Sequence, residues 1–170
     1  VLAAKAGIRL EEEQPRGQAG TSAEPGKADL ERVNRWACRW FQQQLGGPLG
    51  QPVQTYLRNR GISEESTQRF ALGLAPDGWS GLLRAAVQQR IPTQLLLKTG
   101  LIKEKTEASS STDRHYDAFR NRLIFPINDV MGRIIGFGGR ALGDDPAKYL
   151  NSPQSVLFDK SRCLYGLHTA

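Results

Sequence analysis

From Ala28 onward the apolar residues Leu30, Val33, Ala37, Trp40, Phe41 and Leu45 recur at spacings of three and four. That spacing places them on one face of a helix, and Gly46, Gly47 and Pro48 end it. The aromatic stripe Trp36, Trp40 and Phe41 falls on this helix and is expected in the core. Val53 to Arg60 predicts a second helix with Gly61 just past its end. Ser63 then caps a third, whose first turn carries Glu64 and Glu65 where the helix dipole favours acids. Ala71 to Ala75 is expected to be extended and stopped by Pro76. Leu82, Leu83, Ala86 and Val87 mark a fourth helix, and Thr93 opens a fifth that ends at Gly100.

After a polar, Ser-rich stretch from Lys103 to Asp113, expected as a surface loop, the period changes. Leu123, Phe125 and Ile127 alternate with Ile124, Pro126 and Asn128, and Arg133 to Phe137 forms a second β-type run. Asp129 to Gly132 join the two as a hairpin. Ala141 to Lys160 carries three turn-forming stretches, Gly143 to Pro146, Asn151 to Pro153 and Phe158 to Ser161, before a strand candidate at Cys163 to Leu167. The pattern therefore predicts a mixed α+β unit, a helical first part followed by a small sheet built on a hairpin.

Upstream of the first helix, Glu11 to Lys27 holds no large apolar side chain, so ordering it would lose entropy without burial in return; it is expected to be a flexible linker. Residues 1 to 10 read as the end of a preceding element. The chain starts at Val1 and its single methionine is Met131, which reads as an internal piece of a longer protein, and Val1 to Ile8 does not make a signal segment. A chain of 170 residues encloses a hydrophobic core without disulfides, and no apolar run approaches the ~20 residues that span a bilayer.

Charge changes the picture. The chain carries 23 Lys and Arg against 17 Asp and Glu, a net +6, and 16 of the 23 are Arg, whose planar fork grips phosphate through two hydrogen bonds. A polyanionic partner is one reading of this surplus and simple solubility the other. Two cysteines, Cys38 and Cys163, belong to no CxxC, and Cys163 with His168 makes half of a zinc site at most. Gly136, Gly138 and Ala141 satisfy the letters of GxGxxA, the dinucleotide fingerprint. That motif needs a helix starting within the glycines, whereas here Gly143, Asp144, Asp145 and Pro146 follow. The glycines are instead expected to let the backbone bend or approach a ligand while Arg140 projects toward an anion.

These segments come in one order with Tyr116, Asp117, Phe119 and Arg120, then Phe125 to Ile127, Gly136 to Arg140, Lys148 to Pro153 and Leu164 to Leu167. Tyr56 to Gly61 and Arg69 to Trp79 precede them. Across roughly residues 28 to 170 the series resembles bacterial replicative DNA primases of the DnaG type, whose blocks run YDRFRxRxxFPI, GxxIGFGGR, PKYLNSPET and LYGL. The resemblance implies the amino-terminal subdomain of the primase RNA polymerase core. A TOPRIM subdomain with the Mg²⁺-binding carboxylates would follow, and a Zn²⁺ ribbon would precede Val1. It further implies that Arg60, Arg140, Lys148, Tyr149, Asn151 and Lys160 line the side of the active-site groove facing template and nucleotide. Implied partners are single-stranded DNA, nucleoside triphosphates and, through a carboxy-terminal domain, the replicative helicase. A monomer in the bacterial cytoplasm is expected, inactive on its own because the catalytic carboxylates and metal sites lie outside it.

Two positions depart from the family pattern: Ala118 stands where an Arg is usual, removing one cation from the groove, and Gln154 and Ser155 replace Glu-Thr. Asp117 and Arg120 are expected to pair structurally. Two rival functions are a non-catalytic nucleic-acid-binding module and a nucleotide-dependent oxidoreductase built on the glycines.

Overall fold

The computed structural model describes residues 25–107 and 114–161. Helix α1 (Lys27–Gly46) leads through a 3₁₀ turn (Pro48–Gly50) into α2 (Gln51–Asn59) and α3 (Glu64–Arg69). Strand β1 (Gly73–Ala75), helices α4 (Gly81–Gln88) and α5 (Thr93–Lys98), and strands β2 (Ile102–Glu104) and β3 (His115–Asp117) follow. Strands β4 (Arg122–Asn128), β5 (Ile134–Ala141) and β6 (Tyr149–Asn151) complete the elements of the described residues. A four-stranded antiparallel sheet runs β1-β4-β5-β6, and β2 pairs with β3 in a second, two-stranded sheet. The fold is mixed α+β, as the periodicity predicts.

Several boundaries differ from the sequence reading. Lys27 is already helical, and the Asp29 carboxylate accepts a hydrogen bond from the Gly26 N–H at 3.1 Å; the remainder of the expected linker, up to residue 24, lies outside the described residues, as do Cys163 and the strand expected at 163–167. The expected loop from Lys103 begins inside β2, where Lys103 and Glu104 pair with Tyr116 and His115; residues 108–113 of it lie outside the described ones. Tyr149–Asn151, read as part of a run of turns, is an edge strand that pairs with Gly138, Gly139 and Arg140 of β5.

Helix endings follow one device used four times. After α2, α3, α4 and α5 the residue past the cap takes a positive φ: Gly61 at 75°, Ala71 at 50°, Arg90 at 57° and Gly100 at 71°. In each case the next N–H reaches back to the last turn, Ile62 to Leu57, Leu72 to Thr67, Ile91 to Ala86 and Leu101 to Leu96, the Schellman arrangement with an apolar residue closing it. Two glycines were visible as stops. Ala71 and Arg90 were not, because an L side chain in this region is disfavoured and gives no compositional signal. Ala71 and Leu72, expected to be extended, therefore belong to the end of α3.

The sheet buries one face under α1. Phe41 is 2% exposed and meets Trp40, Phe119 and Phe137 edge to face at centroid distances of 5.4, 6.4 and 5.5 Å. Its backbone lies so close to β1 that a Cβ on Gly73 would fall 2.5 Å from the Phe41 Cβ. On the opposite face, Leu74 and Leu123 pack with Val53 and Leu57 of α2, while Ile127 packs with Leu157 and Phe158. Between those two covered ends lie Phe125, Gly138 and Asn151, which the pairing register places side by side.

Adding a methyl at position 73 forces α1 off the sheet, so Gly73→Ala is expected to destabilise by about 1–3 kcal/mol or more. Arg90→Gly, which relieves a left-handed side chain on an exposed turn, is expected to stabilise by about 0.5–1 kcal/mol. Urea unfolding followed by circular dichroism reads both, and the two signs must be opposite.

Candidate nucleic-acid interface

The open stretch of the sheet is a groove of about 400 Å³ lined by Phe125, Ile127, Gly138, Gly139, Tyr149, Asn151, Phe158 and Lys160. Three sequence-predicted residues therefore meet here. Tyr149 and Asn151 stand two apart on β6 and share a face, while Leu150 between them turns to the core cluster. Tyr149 is 69% exposed and presents an open aromatic at the groove's edge. Arg140, directly opposite Tyr149 in the register, holds its guanidinium 5.9 Å from that ring. It also lines a neighbouring hollow of about 450 Å³ with Tyr56, Asp77 and Asn121. Arg60 reaches this hollow only through Tyr56, over whose ring it lies at 5.2 Å. Lys148 is exposed beside Tyr149 and lines neither hollow.

Lys160 owes its place to the chain beyond β6. The buried Ser152 finishes the ladder where the strand stops: its N–H donates to the Phe137 carbonyl and its Oγ accepts from the Phe137 N–H, both at 2.8 Å. Pro153 then rests on Gly100, where no Cβ would fit. The Ser155 Oγ accepts from the Leu157 and Phe158 N–H groups, turning the chain so that those two side chains seal the groove's end and Lys160 stands on its rim.

The glycine segment behaves differently from expectation. Gly136, Gly138 and Gly139 lie within β5, their φ angles are not positive, and no helix follows among the described residues up to Ser161. A Cβ on Gly136 would press on Ser152 and Phe158, and one on Gly139 would lie 2.9 Å from Phe119 and 3.1 Å from Arg122. Gly136 and Gly139 therefore make room for buried side chains of the protein itself, a Cβ on Gly138 would lie 3.1 Å from the Asn151 Oδ1, and Gly138 and Gly139 both line the groove. A dinucleotide site has no helix N-terminus to hold its pyrophosphate here.

The model of the DNA primase catalytic core, N-terminal domain, matches residues 40–170. The chain belongs to this family. The DNA primase of Deinococcus radiodurans is 42% identical over 169 residues, 99% of this chain and 27% of that protein. That of Salmonella typhimurium is 47% identical over 131 residues, 77% of this chain and 22% of it. The chain thus spans about a quarter of the length of these relatives. A solved DnaG primase catalytic domain bound to single-stranded DNA superposes with a TM-score of 0.75 at 41% identity, covering 83% of this chain and 42% of that one. The RNA polymerase domain of the Mycobacterium tuberculosis primase gives 0.76 at 29% identity, covering 84% and 45%.

Within this primase subdomain the structure also shows residues that sequence reasoning passed over. Trp79 is 61% exposed, with the Arg120 guanidinium 4.0 Å from its ring and Tyr116 edge-on at 5.7 Å. An aromatic next to Gly78 and Ser80 in a loop was the available signal. Arg120 accordingly does not pair with the Asp117 carboxylate; it donates to the Asp117 backbone carbonyl at 2.8 Å and stacks on Trp79. The Asp117 carboxylate instead accepts from the Leu82 and Leu83 N–H groups at 2.8 and 3.0 Å, capping α4 from a distant strand. Burial pushes its carboxyl above the usual carboxylate value, against the opposing pull of those two amides and of Arg120 and Arg84. Burial likewise pushes the Cys38 thiol up to about 11, an unreactive core position.

Local rules assign the α4 cap to Ser80, yet its hydroxyl makes no cap hydrogen bond. Asp117→Ala is expected to lower stability by about 2 kcal/mol, whereas Ser80→Ala should shift it by less than about 0.5 kcal/mol. Thermal melts of the two variants distinguish the caps; equal losses would return the role to Ser80.

Proposed function

We propose that this chain forms the template- and nucleotide-binding side of a DNA primase, a nucleotidyltransferase that builds short RNA primers on single-stranded DNA from nucleoside triphosphates. The observation that carries this reading is the groove itself: an apolar, glycine-opened floor rimmed by Tyr149, Asn151 and Lys160, with Arg140 beside it. Such a surface suits a nucleic-acid strand, since bases stack on an exposed aromatic while cations track the phosphates. The single-stranded DNA bound by a solved relative supports it.

In this reading Tyr149 offers its open ring to a base or sugar, and the Asn151 amide supplies a donor and an acceptor at the groove floor. Lys160 and Arg140 take phosphates, the first as a point charge and the second as a bidentate fork. Lys148 adds an outer cation at the edge, and the Trp79–Arg120 stack and the Arg60–Tyr56 pair extend the same chemistry beyond the groove. Phosphoryl transfer asks a protein chiefly to position reactants and stabilise charge, so this surface supplies the cationic half of a site.

The metal-bound half belongs to the Mg²⁺-binding TOPRIM subdomain, and Zn²⁺ to a ribbon module; among the described residues no group of three or more His, Cys, Asp or Glu is placed to hold a metal. The full protein would act beside the replicative helicase in the bacterial cytoplasm. No helix among the described residues is long and apolar enough to cross a membrane.

Single-stranded DNA binding should weaken with salt at a slope of log K against log salt of about −2, the value for roughly three phosphate contacts at ~0.7 each. The Lys148→Ala, Lys160→Ala double variant should flatten that slope toward about −0.7, with similar losses on all sequences. Fluorescence anisotropy at several salt concentrations measures this, and equal slopes for wild type and variant would mean the rim is only a solvated surface.

A further inference from the structure

The most deeply buried cation among the described residues lies on the far side of the sheet from the groove. The Arg122 side chain is 5% exposed and crosses beneath β5, where Gly139 leaves room for its stem. Its guanidinium donates to the Asp145 carboxylate and to the Ala147 carbonyl, both at 2.8 Å. Asp145 in turn accepts from the Ala147 N–H at 2.8 Å through its other oxygen. The loop so gathered ends with Lys148, whose carbonyl accepts from the Ala141 N–H at 2.8 Å, and passes directly into Tyr149 of β6. Asp144, the neighbouring carboxylate, is exposed.

We propose that Arg122 is a positioning residue: with Asp145 it latches the 143–148 loop to the sheet and thereby holds Lys148 and Tyr149 at the edge of the groove. Three features converge on it. A buried guanidinium keeps its charge and requires partners, so it selects one loop conformation. Asp145 is occupied on both oxygens, which binds the loop to itself as well as to Arg122. Gly139, left over from the dinucleotide-like motif, is the seat that the Arg122 stem and Phe119 share. The role as a positioning residue for nucleic-acid binding rests on the proposed function above.

Electrostatics provides a test of opposite sign. Removing an anion beside a phosphate-binding surface tightens DNA binding when charge alone acts. Asp144→Asn is therefore expected to bind single-stranded DNA more tightly. Asp145→Asn removes the same charge, but it sets an amide N–H₂ against the guanidinium and releases the loop, so it is expected to bind about fivefold more weakly at 0.1 M salt. That is the counterion-release contribution of one phosphate contact.

The experiment titrates a fluorescein-labelled oligothymidylate into the 170-residue chain and the two variants. In parallel it follows amide hydrogen exchange of Ala141 as a direct reading of the latch. Weaker binding and faster Ala141 exchange in Asp145→Asn, with tighter binding in Asp144→Asn, establish the role. Asp145→Asn binding as tightly as or more tightly than wild type overturns it. If the wild-type chain binds no oligonucleotide, the proposed function falls, and Ala141 exchange alone decides the latch: faster exchange in Asp145→Asn keeps it and unchanged exchange removes it. Far-ultraviolet circular dichroism confirms that both variants fold; should Asp145→Asn unfold, Asp145→Ala, which removes the same charge without setting an amide N–H₂ against the guanidinium, gives the same readings.

Discussion

Everything in this subdomain is built outward from the contact between Phe41 of α1 and Gly73 of β1. The two backbones approach so closely that no side chain fits at position 73, and the Phe41 ring is set into the sheet among Trp40, Phe119 and Phe137. Close packing of this kind fixes the helix in translation as well as in angle, since a shift of even one methylene would open a void on one side and a clash on the other. With α1 seated, the sheet has one dry face. The other face stays partly open.

That second face is divided along its length. Near β1 it is covered by α2, at the hairpin end by Leu157 and Phe158, and in the middle it stays open around Gly138. The open stretch coincides with the short edge strand β6, so the rim residues Tyr149 and Asn151 project from backbone that is held in register on one side only. A three-residue edge strand is weakly held by its own ladder. It is ordered here by polar contacts from outside it, Ser152 to Phe137 at one end and the Arg122–Asp145 pair at the other. The groove thus takes its shape from buried groups that never face a ligand.

The same economy of long-range polar contacts recurs elsewhere. Asp117 caps α4 from strand β3, and Asn34 in the middle of α1 donates to the Ile134 carbonyl at the start of β5. Each of these groups is almost fully buried, and each would be costly if left without its partner. They tie helices to strands that are far apart in sequence, which gives the small sheet a single arrangement rather than a family of similar ones.

The helices and the hairpin were legible from the sequence because their signals are local. A stripe such as Leu30, Val33, Ala37 and Phe41, a cap such as Ser63 and a turn such as Asp129 to Gly132 each lie within a few residues of what they determine. The candidate residues Tyr149, Asn151 and Lys160 were found through ordered motif blocks, and the fold gathers them in one groove, while Lys148 and Arg60 stay outside it. What could not be read were the consequences of chain segments meeting. Strand β6 exists because β5 offers it an edge, Ala71 and Arg90 adopt left-handed turns because their neighbours are packed, and Gly139 is a glycine because Arg122 and Phe119 need its space. The sequence by itself determined the helices, the β4–β5 hairpin and which charged and aromatic side chains the chain carries. The tertiary structure decided which polar groups lie buried and which cations face the groove, since desolvation and steric fit depend on atoms brought together from distant positions.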